Sequence, residues 1–223
     1  MSAAPPKSKV YLASRSPRRR ELLKQIGVAF EVLMLRDHPG RNVDVDEAQR
    51  PGEGPDEYVR RVCSAKADSG WQRVAQRHLR PFPVLAADTV VCVDEIILGK
   101  PPDAAHAVKM LRLLSGREHR VLTAVILKLD DRRELLVSES RVRFADLSQA
   151  DIEAYVASGE PMDKAGAYAI QGTGALFVDK IEGSFTNVIG LPLSDIYYDL
   201  KRFGIRLNPP AGGSKHERVR TGN

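Results

Sequence analysis

Ser14-Arg15-Ser16-Pro17-Arg18-Arg19-Arg20 sets a serine-bearing turn against three consecutive arginines. Ser16 suits a helix N-cap and Pro17 suits the first helical position. Cations at a helix start cost about 0.3–1 kcal/mol each, because the unpaired backbone N–H groups already carry positive charge there. A capping box would place Glu or Gln at the third helical position, where Arg19 stands. Those N–H groups together with Ser14, Arg18 and Arg19 would form an anion site, and a polyphosphate would offset the mutual repulsion. Alternatively the arginines fan out at about 100° per residue and extend their stems into water.

Asp88 lies inside the apolar run Val84-Leu85-Ala86-Ala87-Asp88-Thr89-Val90-Val91. A carboxylate in such a strand is costly to bury unless it binds a metal, pairs with a cation or lines a cleft. It could hold a divalent ion and accept a proton from water; backbone donors near the strand end are the alternative. Lys66 follows Val59, Val62 and Cys63 on one helical face, so it either snorkels over the helix edge or reaches into a site. Lys100, in Leu98-Gly99-Lys100-Pro101, falls just past a hairpin from Asp88 and could face the same cleft. Gln171 closes a glycine-rich stretch, Asp163 to Gly172, and offers both a donor and an acceptor to a base edge; a plain turn is the other reading. Glu47, in Asp44-Val45-Asp46-Glu47, is either part of a solvated acidic patch or a closing metal ligand.

Strands and helices must bring these residues together. The pattern predicts a strand over 10–13, then a helix to 26 stopped by Gly27, and a strand over 30–35. A polar loop spans 36–54, and loops of that length tend to be functional or disordered. A long helix follows from 55 to about 78, then a buried strand over 84–93 turning at Asp94-Glu95 into 96–98. Asp103 caps a helix to 114. Strands over 121–129 and 134–144 read as a hairpin, and Ser148 with Asp151 opens a helix ending at Gly159. Strands are expected over 175–181 and 186–189, and a last helix over 194–203. With no repeat and no dividing linker, this intermixing predicts an α/β fold: one mixed, twisted β-sheet flanked by helices.

The 223 residues, 43% hydrophobic, suffice for one domain. No apolar run is long enough for a membrane span and no signal region opens the chain, so neither membrane nor export is expected. Cys63 and Cys92 lack metal-ligand spacing and read as buried free thiols in a reducing, cytoplasmic setting. The net charge of +5 is unevenly placed: residues 1–20 carry +6 and the tail from Arg206 carries +3, leaving −4 on the body. A nucleic-acid-binding protein would spread its basic residues over a folded face, so none is expected as a partner. Residues 1–9 and the basic tail 206–223 are expected to be disordered, with one domain over 10–205.

Taken in order, Leu12-Ala13-Ser14-Arg15-Ser16-Pro17-Arg18-Arg19, Asp46-Glu47, Ala65-Lys66-Ala67, Ala87-Asp88-Thr89-Val90-Val91, Gly99-Lys100-Pro101, the DKAGAYAIQG stretch and Asn187-Val188-Ile189-Gly190-Leu191-Pro192 resemble the Maf proteins, which are nucleoside triphosphate pyrophosphatases. The resemblance implies a two-lobed Maf/ITPase-like fold, often a homodimer, that hydrolyses a nucleoside triphosphate between its α- and β-phosphates. It implies Asp88 as proton acceptor and Arg18, Thr89 and Gln171 as residues tied to substrate choice. The branch resembled is the one acting on dTTP and UTP; the sister branch acting on 7-methyl-GTP carries different residues beside the aspartate and the glutamine. A divalent cation, magnesium or manganese, is expected on Asp88 and Glu47, with Ser14, Arg18, Arg19, Lys66 and Lys100 on the phosphates. Arg15 fills the signature's variable position, Ala169 stands where that branch usually has glycine, and the 36–54 loop is longer than usual. A regulator that binds nucleotide without hydrolysis is the reading from another class; an inward acid beside a phosphate site opposes it unless a metal intervenes.

Overall fold

A computed structural model describes residues 8–36 and 43–208. The chain opens with β1 (Val10–Leu12), α1 (Pro17–Gln25) and β2 (Phe30–Val32). Ser16 caps α1 by accepting the Arg19 N–H at 3.4 Å, and Pro17 takes its first position. The strand expected over 30–35 stops at Val32. Its partner β1 is only three residues long, and Leu33 makes one last hydrogen bond to the Leu12 carbonyl at 2.9 Å before the chain departs.

α2 (Pro55–Gln76) ends slightly before the expected position, where His78 adopts a positive φ of 50°. β3 (Val84–Val93) and β4 (Ile96–Leu98) are joined through Asp94 and Glu95, both at positive φ, which matches the twist of a tight hairpin. α3 (Ala104–Leu114) leads to β5 (Glu118–Leu129) and β6 (Arg132–Phe144), which begin earlier than their apolar patterns because their polar ends remain paired. α4 (Gln149–Ala157) carries the complete Ser148–Asp151 capping box.

Two expected strands need correction. Over 175–181, strand β7 (Val178–Glu182) starts only at Val178, and Thr173–Phe177 forms a 3-10 turn instead. There the Ala175 N–H donates to the Gly172 carbonyl at 3.1 Å and is not available to a ladder. The segment 186–189 is not a strand but helix α5 (Phe185–Ile189). Its β-branched residues read as strand, yet Ser184 caps its start and Gly190, at φ 118°, closes its end. The chain finishes with α6 (Leu193–Arg202).

The sheet runs β2-β1-β3-β5-β6-β7, with β4 also on β3. β1 pairs in parallel with β2 and β3, and every other pairing is antiparallel. On one face, Leu22, Leu23, Ile196 and Leu200 of α1 and α6 pack on Leu85, Ala87, Val125 and Leu127. On the other, Val59, Cys63, Ala67 and Val74 of α2 pack on Val84, Ala86, Val90 and Leu122. A third cluster seats α3 and α4 against Val121, Val142 and Phe144.

One detail of register creates the site. β1 pairs with β3 only at Val84 and Leu85, and β4 pairs on that same side only from Val91. Among the described strands, the stretch between them has no neighbour on that side, so Asp88 and Thr89 face a gap in the sheet. The ends expected to be disordered lie outside the described residues except for 8–9 and 206–208, where the Arg206 N–H donates to Ser8 at 2.9 Å. Cys63 and Cys92 are buried and free. Among the described residues, no helix is long and apolar enough to cross a membrane.

Candidate active site

Successive side chains of a strand point to opposite faces, so Asp88 turns toward α2 and Thr89 toward α1. Lys66 of α2 does not snorkel into solvent. Its Nζ lies 2.7 Å from Asp88 Oδ1 and 2.9 Å from Glu47 Oε1. Burial opposes the charge on Lys66, but the Asp88 and Glu47 carboxylates outweigh it and hold the pKa above its ordinary value. Asp88 is thus satisfied by a cation at the edge of a cleft.

Arg19 is the centre on the opposite face. Its Nε donates to the Gly190 carbonyl at 2.8 Å, Nη1 to Ser14 Oγ at 3.0 Å and Nη2 to Thr89 Oγ1 at 2.9 Å. Burial pulls its pKa below the ordinary value, and the nearby Asp88 carboxylate works against that pull. A side chain at Gly190 would crowd Thr89, with a Cβ only 3.3 Å from its Oγ1. Behind this layer Thr89 pairs with Thr123 at 2.9 Å, and Thr123 donates to the Asn187 carbonyl at 3.1 Å. The Asn187 amide in turn donates to Val121 O at 3.0 Å and Ser140 Oγ at 2.9 Å, tying α5 to β5 and β6.

Both faces open on one cavity of about 740 Å³, lined by Ser14, Arg18, Arg19, Glu47, Lys66, Asp88, Thr89, Lys100 and Gln171. Every residue singled out from the sequence therefore meets there. Lys100 is positioned by the end of β4, where the Gly99 carbonyl accepts the Gly166 N–H at 3.1 Å and joins the DKAG segment to it. Arg18 is half-buried on the lining, whereas Arg20 is outside it and donates to the Arg15 carbonyl at 3.4 Å. Sequence reasoning missed Lys164 and Arg36 as lining cations, although Lys164 lay within the glycine-rich stretch. With Arg15 they bring the lining to seven cationic side chains against three carboxylates, a strong preference for an anion.

Glu47 is more than half exposed but its backbone is not free. Tyr58 of α2 donates to the Glu47 carbonyl at 2.8 Å, and Arg61 donates to the carbonyls of Asp46 at 3.0 Å and Ala48 at 2.9 Å. Three consecutive carbonyls are held by two side chains of one helix. Arg61 also forks onto Glu53, and Asp44 bridges Arg36 and Arg73 nearby.

The donor set is compatible with a divalent ion. Two carboxylates already share one cation, the Lys66 ammonium, beside a cavity suited to phosphate oxygens. Among the described residues no group of three or more His, Cys, Asp or Glu is placed to hold a metal ion. A few carboxylates completed by substrate oxygens is the arrangement magnesium favours.

The fold is α/β, and its cleft gathers cationic side chains around a lysine-paired carboxylate. The chain belongs to the Maf-like protein family, whose profile matches residues 9–203. A dTTP/UTP pyrophosphatase of Nitrosomonas europaea is 52% identical over 196 residues, covering 88% of this chain and 95% of that protein. One of Aromatoleum aromaticum is 50% identical over 204 residues, covering 91% of this chain and 99% of that protein. The solved Staphylococcus aureus Ham1 protein is a distant likeness, 16% identical with a TM-score of 0.42 over 75% of this chain and 90% of that one.

Proposed function

We propose that this chain is a pyrophosphatase that hydrolyses dTTP and UTP to the nucleoside monophosphate and pyrophosphate. The observation that carries the reading is the Lys66-paired Asp88 at the wall of a cavity whose charged side chains are mainly cations. The names of relatives at about half identity over nearly their full length support the substrates.

Water attacks the α-phosphorus in line, its oxygen forming the new P–O bond as the bond to the bridging oxygen breaks. Asp88 takes the proton from that water, and the electron pair leaves on pyrophosphate. Arg18, Arg19, Lys100 and the α1 N–H groups neutralise the phosphate oxygens; positioning and charge stabilisation are most of what phosphoryl transfer requires. A magnesium or manganese ion held by Asp88 and Glu47 would supply further charge neutralisation. The cytoplasm is the proposed location, supported by two buried free thiols, and the homodimer implied by the family is open to sedimentation.

The test is pyrophosphate release across dTTP, UTP, CTP, ATP and 7-methyl-GTP with magnesium or manganese. dTTP and UTP should turn over fastest; faster release from 7-methyl-GTP, or binding with no release from any nucleotide, overturns the reading. Asp88→Asn should lower kcat by about 10³-fold, within the range of general-base loss. A kcat like wild type would remove Asp88 from the mechanism.

A further inference from the structure

Gln171 is exposed to the cavity on a turn between two 3-10 segments, Ala165–Ala167 and Thr173–Phe177. A side chain on a free turn discriminates ligands poorly, because each contact must first overcome the cost of ordering it. This turn is held from behind. Glu160 Oε2 accepts the Thr173 N–H at 3.1 Å and Oε1 accepts the Gly174 N–H at 3.2 Å. The same Oε1 accepts the Tyr155 hydroxyl at 2.9 Å, and that hydroxyl oxygen accepts the Ala169 N–H at 3.1 Å. One carboxylate and one hydroxyl thus grip the backbone on both sides of Gln171.

The grip is tight. A Cβ on Gly172 would stand 2.4 Å from Glu160 Oε1, and one on Gly174 would stand 2.6 Å from the Tyr155 hydroxyl oxygen. The two glycines let the turn close onto its clamp. Tyr155 is itself packed in the core: 3% exposed, with its ring edge-on to Phe177 at 4.9 Å. Burial raises the Glu160 pKa, but the Thr173 and Gly174 N–H groups and the Tyr155 hydroxyl outweigh it and hold the carboxyl below its ordinary range. Glu160 therefore keeps the charge that strengthens these bonds.

We propose that Glu160 and Tyr155 are positioning residues for base selection: they fix the turn that aims Gln171 at the pyrimidine, without touching the substrate themselves. This rests on the reading that Gln171 meets the base. Ala169 adds to the argument, since it anchors the turn through its backbone N–H and not through its side chain.

The experiment compares kcat/KM for UTP and CTP in wild type, Gln171→Ala, Glu160→Gln and Tyr155→Phe, with inorganic triphosphate as a competitive probe of the phosphate end. Tyr155→Phe keeps the ring packing, so it remains informative should Glu160→Gln fold poorly. Each of the three variants should lower the UTP-to-CTP ratio by about tenfold, one well-placed hydrogen bond of discrimination. The inhibition constant of inorganic triphosphate should not change. A ratio moved by Gln171→Ala but by neither clamp variant overturns the positioning role alone. Equal losses on UTP and CTP, with weaker triphosphate inhibition, also overturn it, because that is general disruption. A ratio unmoved by Gln171→Ala overturns the base assignment and the proposal with it.

Discussion

At one end of the cleft Arg19 is buried and bonded to Ser14, Thr89 and Gly190; at the other Gln171 stands in solvent on a turn held through its backbone. The contrast fits the proposed division of labour, with phosphate at Arg19 and base at Gln171. A polyphosphate carries the same charge whatever its base, so its donors can be fixed in advance in low dielectric, where they are strongest. A base is neutral and is read by a few hydrogen bonds, so the reading side chain must stay open until the ligand arrives. Specificity then depends on how well its support is fixed. Both ends use the same device of a second layer: Thr123 and Asn187 behind Thr89 and Arg19, Glu160 and Tyr155 behind Gln171.

Variants can break this division, and the loss at Asp88 should be the largest because that residue serves every substrate. Next in size is Arg19→Lys, which keeps the charge but loses the planar fork. It should cost about 10²-fold in kcat/KM on dTTP and UTP alike, leaving the UTP-to-CTP ratio intact. A changed ratio would show that the two ends are not separate. Arg61→Ala releases the carbonyls flanking Glu47 and should weaken apparent magnesium dependence about tenfold, again without altering base preference. Binding of manganese alone, followed by electron paramagnetic resonance, checks this independently of turnover; unchanged affinity would leave Arg61 a purely structural role.

The smallest effect on activity belongs to His119, a core residue whose Nε2 pairs with the Tyr168 hydroxyl at 2.9 Å. Burial pushes its pKa down from 6.5 to about 4. The unfolded chain therefore binds a proton that the folded chain refuses, and stability is complete above about pH 6.5 and lost as pH falls toward 4. The total is on the order of 3 kcal/mol. His119→Gln should flatten that part of the acid denaturation profile while kcat at neutral pH stays within about twofold. An unchanged profile would assign acid lability elsewhere, for instance to Asp44, whose bonds to Arg73 and Arg36 outweigh its burial and hold its pKa low.

The candidate site residues were legible where a local rule was strained. Three arginines at a helix start, a carboxylate inside the apolar run of β3, and a lysine on the apolar stripe of α2 each conflict with a known cost; of these, Arg18, Arg19, Asp88 and Lys66 lie on the cavity. Caps and glycine stops gave the ends of α1, α3 and α4 for the same local reason. Where β-branched residues sat between a cap and a glycine, as in α5, propensity pointed to the wrong element. The clamp residues Glu160 and Tyr155 break no local rule, so nothing in the sequence marked them.

The sequence by itself determined the α/β class and singled out the start of α1 and Asp88 as candidates, because periodicity, capping and burial cost act over a few neighbouring residues. Only the tertiary structure decided which of the three arginines is buried, which lysine pairs with which carboxylate, and what holds Gln171. Those choices depend on where β1 stops pairing with β3 and where β4 begins. That gap brings residues 14, 88 and 171 to one cavity, and it is set by long-range register that no local pattern encodes.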